Sequence, residues 1–237
     1  MKKYYAVLVT VMVTAAVFAQ KMDPFDYHVA DFRLLTDKRV QVEVGLTKPQ
    51  IAVMNKFADA NRTKIRAYQD QVVRAGRDPS KIPDSDPTLL RYFSELRGQI
   101  LSNLNPLQLR RLRELTIQNA GLSGILDTEI AKKVGISDDE LKKARAIFEK
   151  GASASRKIQQ DVYAQVTKPY VNVRPKSQAE ATALSTKIRE IFNGEMAKRS
   201  PEIQKLAAQT KKEFEAVVTP KQLAKYKALS GKKFVPK

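Results

Sequence analysis

Apolar residues return every three or four positions along two long stretches of the chain. Ile51, Met54, Phe57, Ala58, Ile65, Tyr68 and Val72 form one stripe, and Leu141, Ala144, Ile147, Phe148, Ile158, Val162 and Val166 form the other. Such spacing predicts a helix that buries one face. A shorter helical pattern precedes each stripe, at about 36 to 44 and 127 to 134, and stops at Gly45 or Gly135. Glycine there suits the left-handed position just past a helix end. Each stripe runs into a proline-bearing tip, "RDPSKIPDSDP" or "TKPYVNVRPKS", where the chain must turn. Return stripes follow, Leu89, Tyr92, Phe93, Leu96 and Ile100 in the first case and Leu184, Ile188, Ile191, Phe192 and Met196 in the second. The strand-like alternation of "VQVEV" is short and lies inside a capped helical pattern, so it too is expected to be helix.

Four related boxes punctuate these stripes. They are Leu46, Thr47 and Gln50; Leu104, Asn105 and Gln108; Ile136, Ser137 and Glu140; Val218, Thr219 and Gln222. Each is a capping box in chemical terms. The Thr, Asn or Ser side chain accepts from the amide three residues on, and the Gln or Glu side chain reaches back to the N-cap amide. Pro106 and Pro220 stand at the first helical position of two boxes, where a missing N–H costs nothing. Flanking pairs, Leu46 with Ile51, Leu104 with Leu109, Ile136 with Leu141 and Val218 with Leu223, are placed to close hydrophobic staples.

A shift of 90 residues lays Leu35–Ile51 over Ile125–Leu141 and matches Asp37 with Asp127, Val44 with Val134 and Gly45 with Gly135. It stays in phase to Pro79 and Pro169. The expected fold is therefore all-α, two related helical-hairpin modules at 34–121 and 124–230, each opened and closed by a box. The second module is longer by 24 residues between tip and final box, an excess that includes "SPEIQKLAAQTKKEFEAVV", where Ser200 and Pro201 restart or kink a helix.

The ends bear on location. Lys2 and Lys3 precede an uncharged, mostly apolar run from Tyr4 to Phe18, and Val17 and Ala19 stand three and one residues before a cleavage point at Gln20. Residues 1–19 are expected to be a secretory signal peptide and Gln20 the mature start, with an N-terminal segment at 20–33 and a basic tail at 231–237. Export places the mature chain in the periplasm or another extracytoplasmic space, with no stable membrane insertion. The 237-residue chain has no cysteine, so its core must hold it without disulfides. Net charge is +18, or +16 without the two leader lysines, an excess that attracts anionic partners.

Boxes of the Leu-Thr-x-x-Gln kind around a long helical hairpin, in a basic exported protein, resemble the LTXXQ-motif family of periplasmic stress proteins, the Spy/CpxP type. "EIAKKVGISDDEL" and "VTPKQLAKYKAL" are similar to segments of that family. The resemblance implies a helical cradle that holds unfolded or acidic polypeptides without ATP, or docks on a sensor kinase's periplasmic domain. Family members carry two boxes and pair as dimers; four boxes imply that this chain holds both halves, and its own oligomeric state stays open. Asn105, Ser137 and Glu140 depart from the motif.

Catalytic chemistry finds little support. His28 is the only histidine, in an N-terminal segment expected to be mobile, without a second imidazole or thiolate for a metal. Neither a nucleophile motif nor a phosphate-binding glycine loop is present. A non-enzymatic protein without cofactor or metal is expected. The candidate client-binding residues are the basic clusters behind the boxes: Arg110, Arg111 and Arg113; Lys142, Lys143 and Arg145; Lys225 and Lys227. Such clusters also serve simply as the solvated face of an amphipathic helix. Tyr68, Tyr92, Tyr163 and Tyr226 fall on apolar stripes, which favours packing over base stacking, and export removes chromosomal DNA, so no nucleic-acid partner is expected. The competing class is a non-catalytic structural or anionic-polymer-binding envelope protein.

Overall fold

A computed structural model describes residues 22–235; the expected signal peptide, its cleavage point at Gln20 and the last two tail residues lie outside them. The described residues are helical and contain no strand. Ten α-helices follow in order: α1 Pro24–Val29, α2 Lys38–Val44, α3 Lys48–Arg74, α4 Pro87–Ser102, α5 Pro106–Ala120, α6 Thr128–Val134, α7 Asp138–Thr167, α8 Gln178–Lys198, α9 Ser200–Glu215 and α10 Pro220–Leu229. Short 3-10 turns at Phe32–Thr36, Pro79–Lys81, Gly121–Leu126 and Lys168–Tyr170 join them. "VQVEV" lies in α2.

The chain divides into two compact units, one ending at Leu112 and the other beginning at Arg113. The division runs through α5. In the first unit α3 packs along α4, with Met54, Val72, Leu96, Ile100 and Leu101 buried. Tyr68 Oη donates to Asp86 Oδ2 at 2.8 Å and ties α3 to the N-cap of α4. The N-terminal segment is not loose. Asp23 caps α1, and the Arg97 guanidinium on α4 donates to the carbonyls of Tyr27 and His28 while stacking on the Tyr27 ring at 4.9 Å. The expectation of a mobile segment fails because a cation about seventy residues along the chain supplies its anchor, a pairing that periodicity does not reveal.

In the second unit α7 packs on both α8 and α9. Phe214, fully buried, meets Phe148 edge-on at 5.2 Å. Farther along α7, Tyr163 meets Phe192 of α8 at 6.2 Å, yet α8 buries no residue fully. This changes the expected equivalence of the return helices. Pro87 stands eighteen residues before Asn105 and Pro201 eighteen before Thr219. Counted from the closing boxes, Leu89, Tyr92 and Ile100 of α4 match Ile203, Leu206 and Phe214 of α9, not the residues of α8. The excess is thus α8 and its tip, and the stretch from Ser200 on, expected to belong to the excess, is the return helix. Periodicity alone does not separate them, because both helices carry apolar stripes.

Elements otherwise recur at the 90-residue spacing: α2 and α6 begin and end in step, and α3 and α7 begin in step. Gly45 and Gly135 both adopt left-handed backbone, φ 71° and 84°, which explains glycine at each.

Candidate functional site

All four boxes close. Thr47 Oγ1 accepts from Gln50 N at 3.4 Å and Gln50 Oε1 accepts from Thr47 N at 3.0 Å. The Asn105 and Gln108 pair repeats this at 2.9 and 3.0 Å, Ser137 and Glu140 at 3.3 and 2.8 Å, and Thr219 and Gln222 at 3.3 and 2.8 Å. Of the flanking hydrophobes, Leu104, Leu109, Ile136, Leu141 and Val218 are buried, whereas Leu46, Ile51 and Leu223 are half-buried.

The boxes also bond to each other in pairs. In the first unit Gln50 Nε2 donates to Gln108 Oε1 at 2.8 Å and Gln108 Nε2 donates back to Gln50 Oε1 at 3.1 Å. Gln50 further donates to Asn103 O, and Gln108 to Gly45 O, each at 2.8 Å. In the second unit Gln222 Nε2 donates to Gly135 O at 2.8 Å and to Glu140 Oε2 at 3.2 Å. Glu140, a carboxylate, only accepts. Its pKa is held below the ordinary 4.5 by the Ser137 amide first, then by the Ser137 hydroxyl and the Gln222 amide. Local capping explains one face of each Gln side chain. Its –NH₂ group is the signal for this second role, since a glutamine whose oxygen caps still has two donors to place.

The basic candidates divide sharply by what their charge does. Arg113 is 8% exposed and donates to Leu229 O; the client-binding expectation for it is corrected to packing, because a buried guanidinium meets no client. Arg111, its side chain 15% exposed, pairs with Glu43, Nε to Oε1 at 2.9 Å, and so is committed to holding α5 against α2. Arg145 is exposed but donates to Leu126 O at 2.8 Å and Thr128 Oγ1 at 3.0 Å. Arg110 is exposed, 3.9 Å from Asp26. Lys142, Lys143, Lys225 and Lys227 are exposed, behind the two boxes that Gln222 and Glu140 join. Arg110 belongs to the first unit and these four lysines to the second.

Tyr226, on α10, is buried and donates its hydroxyl to Gly121 O; burial pushes its pKa up to about 12. Tyr226 is thus a packing residue, whereas Tyr163 is 58% exposed. Gln118 completes the unit, its Nε2 on Ser230 O at 2.6 Å and Lys232 O at 2.8 Å, while its Oε1 accepts from Phe234 N at 2.8 Å. The tail is thereby strapped along α5. Nothing in the repeating pattern marks Gln118, since its partners are backbone groups of an irregular segment.

No helix among the described residues is long and apolar enough to cross a membrane. Comparison with protein-family models, curated proteins and solved structures finds no match.

Proposed function

We propose that the protein is an exported, ATP-independent chaperone or stress adaptor of the Spy/CpxP type, which binds unfolded or acidic polypeptides on a basic helical surface. The observation that carries this is the split among the cations. Arg111 and Arg113 are used by the fold, whereas Lys142, Lys143, Lys225 and Lys227 stand exposed in one unit, behind two boxes joined by the Gln222 to Glu140 bond. Exposed charges of this kind add little to stability but accelerate encounter with an anionic partner. The leader at 1–19 supplies export, and the four boxes supply the family likeness.

The test is suppression of aggregation of an acidic, chemically unfolded protein by the mature chain without nucleotide, at low and high salt. Protection near equimolar ratio that weakens but persists at high salt supports the proposal, since apolar contact survives screening. A charge-reversed K142E/K143E/K225E/K227E variant should fold normally and protect poorly. Full loss of binding at high salt, with anionic polymers bound as well as polypeptides, would favour the structural or polyanion-binding envelope protein instead.

A further inference from the structure

A groove of about 340 Å³ lies between α7 and α9 in the second unit. One wall carries Gly151, Ala152 and Ser155 beside Phe148, the other Ile203 and Ala207, and Lys211 stands at one end. It opens beside Gly151, where an added Cβ would fall 2.5 Å from Thr210 Oγ1. That hydroxyl is already committed to Leu206 O at 2.9 Å.

The first unit carries larger side chains at the matching positions. Counted from the opening boxes, Gly151, Ala152 and Ser155 stand where α3 has Asn61, Arg62 and Ile65; counted from the closing boxes, Ala207 stands where α4 has Phe93. Four larger side chains have become Gly, Ala, Ser and Ala. In the first unit Asn61 is buried and Ile65 half-buried, whereas Arg62 and Phe93 are exposed. Lys211 stands where α4 has Arg97, which takes the two backbone oxygens of Tyr27 and His28. In the second unit the cation at that position has only a loose carboxylate neighbour, Glu215 Oε1 at 3.9 Å.

We propose that this groove binds a free long-chain carboxylate, its alkyl chain lying between the small residues of α7 and Ala207 and its carboxylate on Lys211 Nζ. The volume lies at the lower end of the range for ligand sites, and an apolar trough with one charged group at its end matches their usual chemistry. Walls of Gly, Ala and Ser admit a slender chain along the helix axes, and the ammonium selects an anionic head over a cationic one. The inference stands apart from the chaperone proposal, which concerns exposed lysines elsewhere in the unit.

Isothermal titration of the full mature chain with sodium dodecanoate below its micellar concentration tests it. Saturable one-to-one binding is expected. Restoring the first unit's residues with S155I and A207F should abolish binding while circular dichroism and thermal unfolding report an intact fold. K211Q should weaken binding about fivefold, the worth of one partly exposed ion pair, and K205Q, a lysine outside the groove, should not. Dodecyltrimethylammonium should bind more weakly than dodecanoate. Absence of saturable binding, affinity unchanged in S155I/A207F, or equal affinity for the cationic amphiphile would overturn the proposal. Binding to phosphatidylglycerol vesicles without binding to soluble dodecanoate would also overturn it, by assigning the attraction to a charged surface. Aggregation suppression by S155I/A207F at the parent's level would leave the chaperone proposal standing whatever the titration shows.

Discussion

Gln222 on α10 donates to the carbonyl of Gly135 at 2.8 Å, and Gln108 on α5 makes the same bond to Gly45 at the same distance. Each glycine ends a short helix in left-handed backbone, and its carbonyl has no place in that helix's ladder. The box glutamine is thus both a cap for its own helix and a tertiary tether. Gln222→Ala should therefore cost more than Thr219→Ala. The Thr change removes one cap contact, about 1 kcal/mol; the Gln change removes the reciprocal cap and the tether, about 2 to 3 kcal/mol in all. Chemical denaturation of the two variants gives the comparison, and equal losses would make the tether energetically silent.

The capping boxes, the two long stripes, the helix-stopping glycines and the all-α class were legible because they depend on local spacing. What escaped depends on partners distant in sequence. Arg97 over Tyr27, Arg113 on Leu229 and Gln118 on the tail all satisfy backbone carbonyls, which no residue pattern advertises. The return helix of the second unit escaped for another reason. Two successive helices offered apolar stripes, and the equal eighteen-residue spacing to the closing boxes, with Phe214 packed on Phe148, pairs α9 with α4. Among the basic candidates, lysines remained exposed while two arginines were absorbed, in keeping with the forked guanidinium's fitness for carbonyl and carboxylate oxygens.

Glu140 makes one of the boxes sensitive to acid. Its carboxyl is held below 4.5 in the folded chain by the Ser137 amide and hydroxyl and by Gln222, with Lys143 contributing. A depressed folded value means stability that is present above the unfolded value and lost as pH falls through the folded one. Other carboxylates, Asp86 and Glu213 among them, are depressed too, so the informative quantity is the difference from Glu140→Gln. That variant restores the residue of the first box, Gln50. Its stability relative to the parent should rise as pH is lowered from 5 towards 3, and parallel curves would refute the assignment.

At the other end of the scale, Tyr226 should titrate late. Burial raises its phenol to about 12, so the neutral form is favoured in the folded chain. Stability on this account is complete below the ordinary value near 10 and is lost as pH rises towards 12. Ultraviolet titration of the phenolate should show one tyrosine ionising with unfolding, and Tyr226→Phe should remove that step while leaving the Gly121 carbonyl without its donor.

Gly151 and Thr210 should prove strongly coupled. Gly151→Ala gains helix propensity, about 1 kcal/mol, but its methyl would meet Thr210 Oγ1 at 2.5 Å and Cγ2 at 3.1 Å. The overpacking of a fixed helix pair, about 1 to 3 kcal/mol, is expected to prevail. Thr210→Ala removes both contacting atoms. The double variant should then be more stable than Gly151→Ala alone, and a cycle of melting measurements that shows simple additivity would mean the helices part without cost.

Arg111 offers the sharpest separation of fold from binding. Its guanidinium is mostly covered and lies against Glu43, itself about a third exposed, so Arg111→Glu sets two carboxylates together where a pair had been. Removing one partner of such a pair typically costs about 3 kcal/mol when fully buried, and this half-covered site should lose about 1 to 2 kcal/mol. The exchanged pair, Glu43→Arg with Arg111→Glu, should recover part of that loss because the charges again oppose. Reversing Lys142 should leave unfolding unchanged, since its exposed charge supports no fold contact. If Arg111→Glu instead unfolds like the parent yet fails to protect an acidic client, the Arg111 guanidinium belongs to the binding surface and its pairing with Glu43 is dispensable.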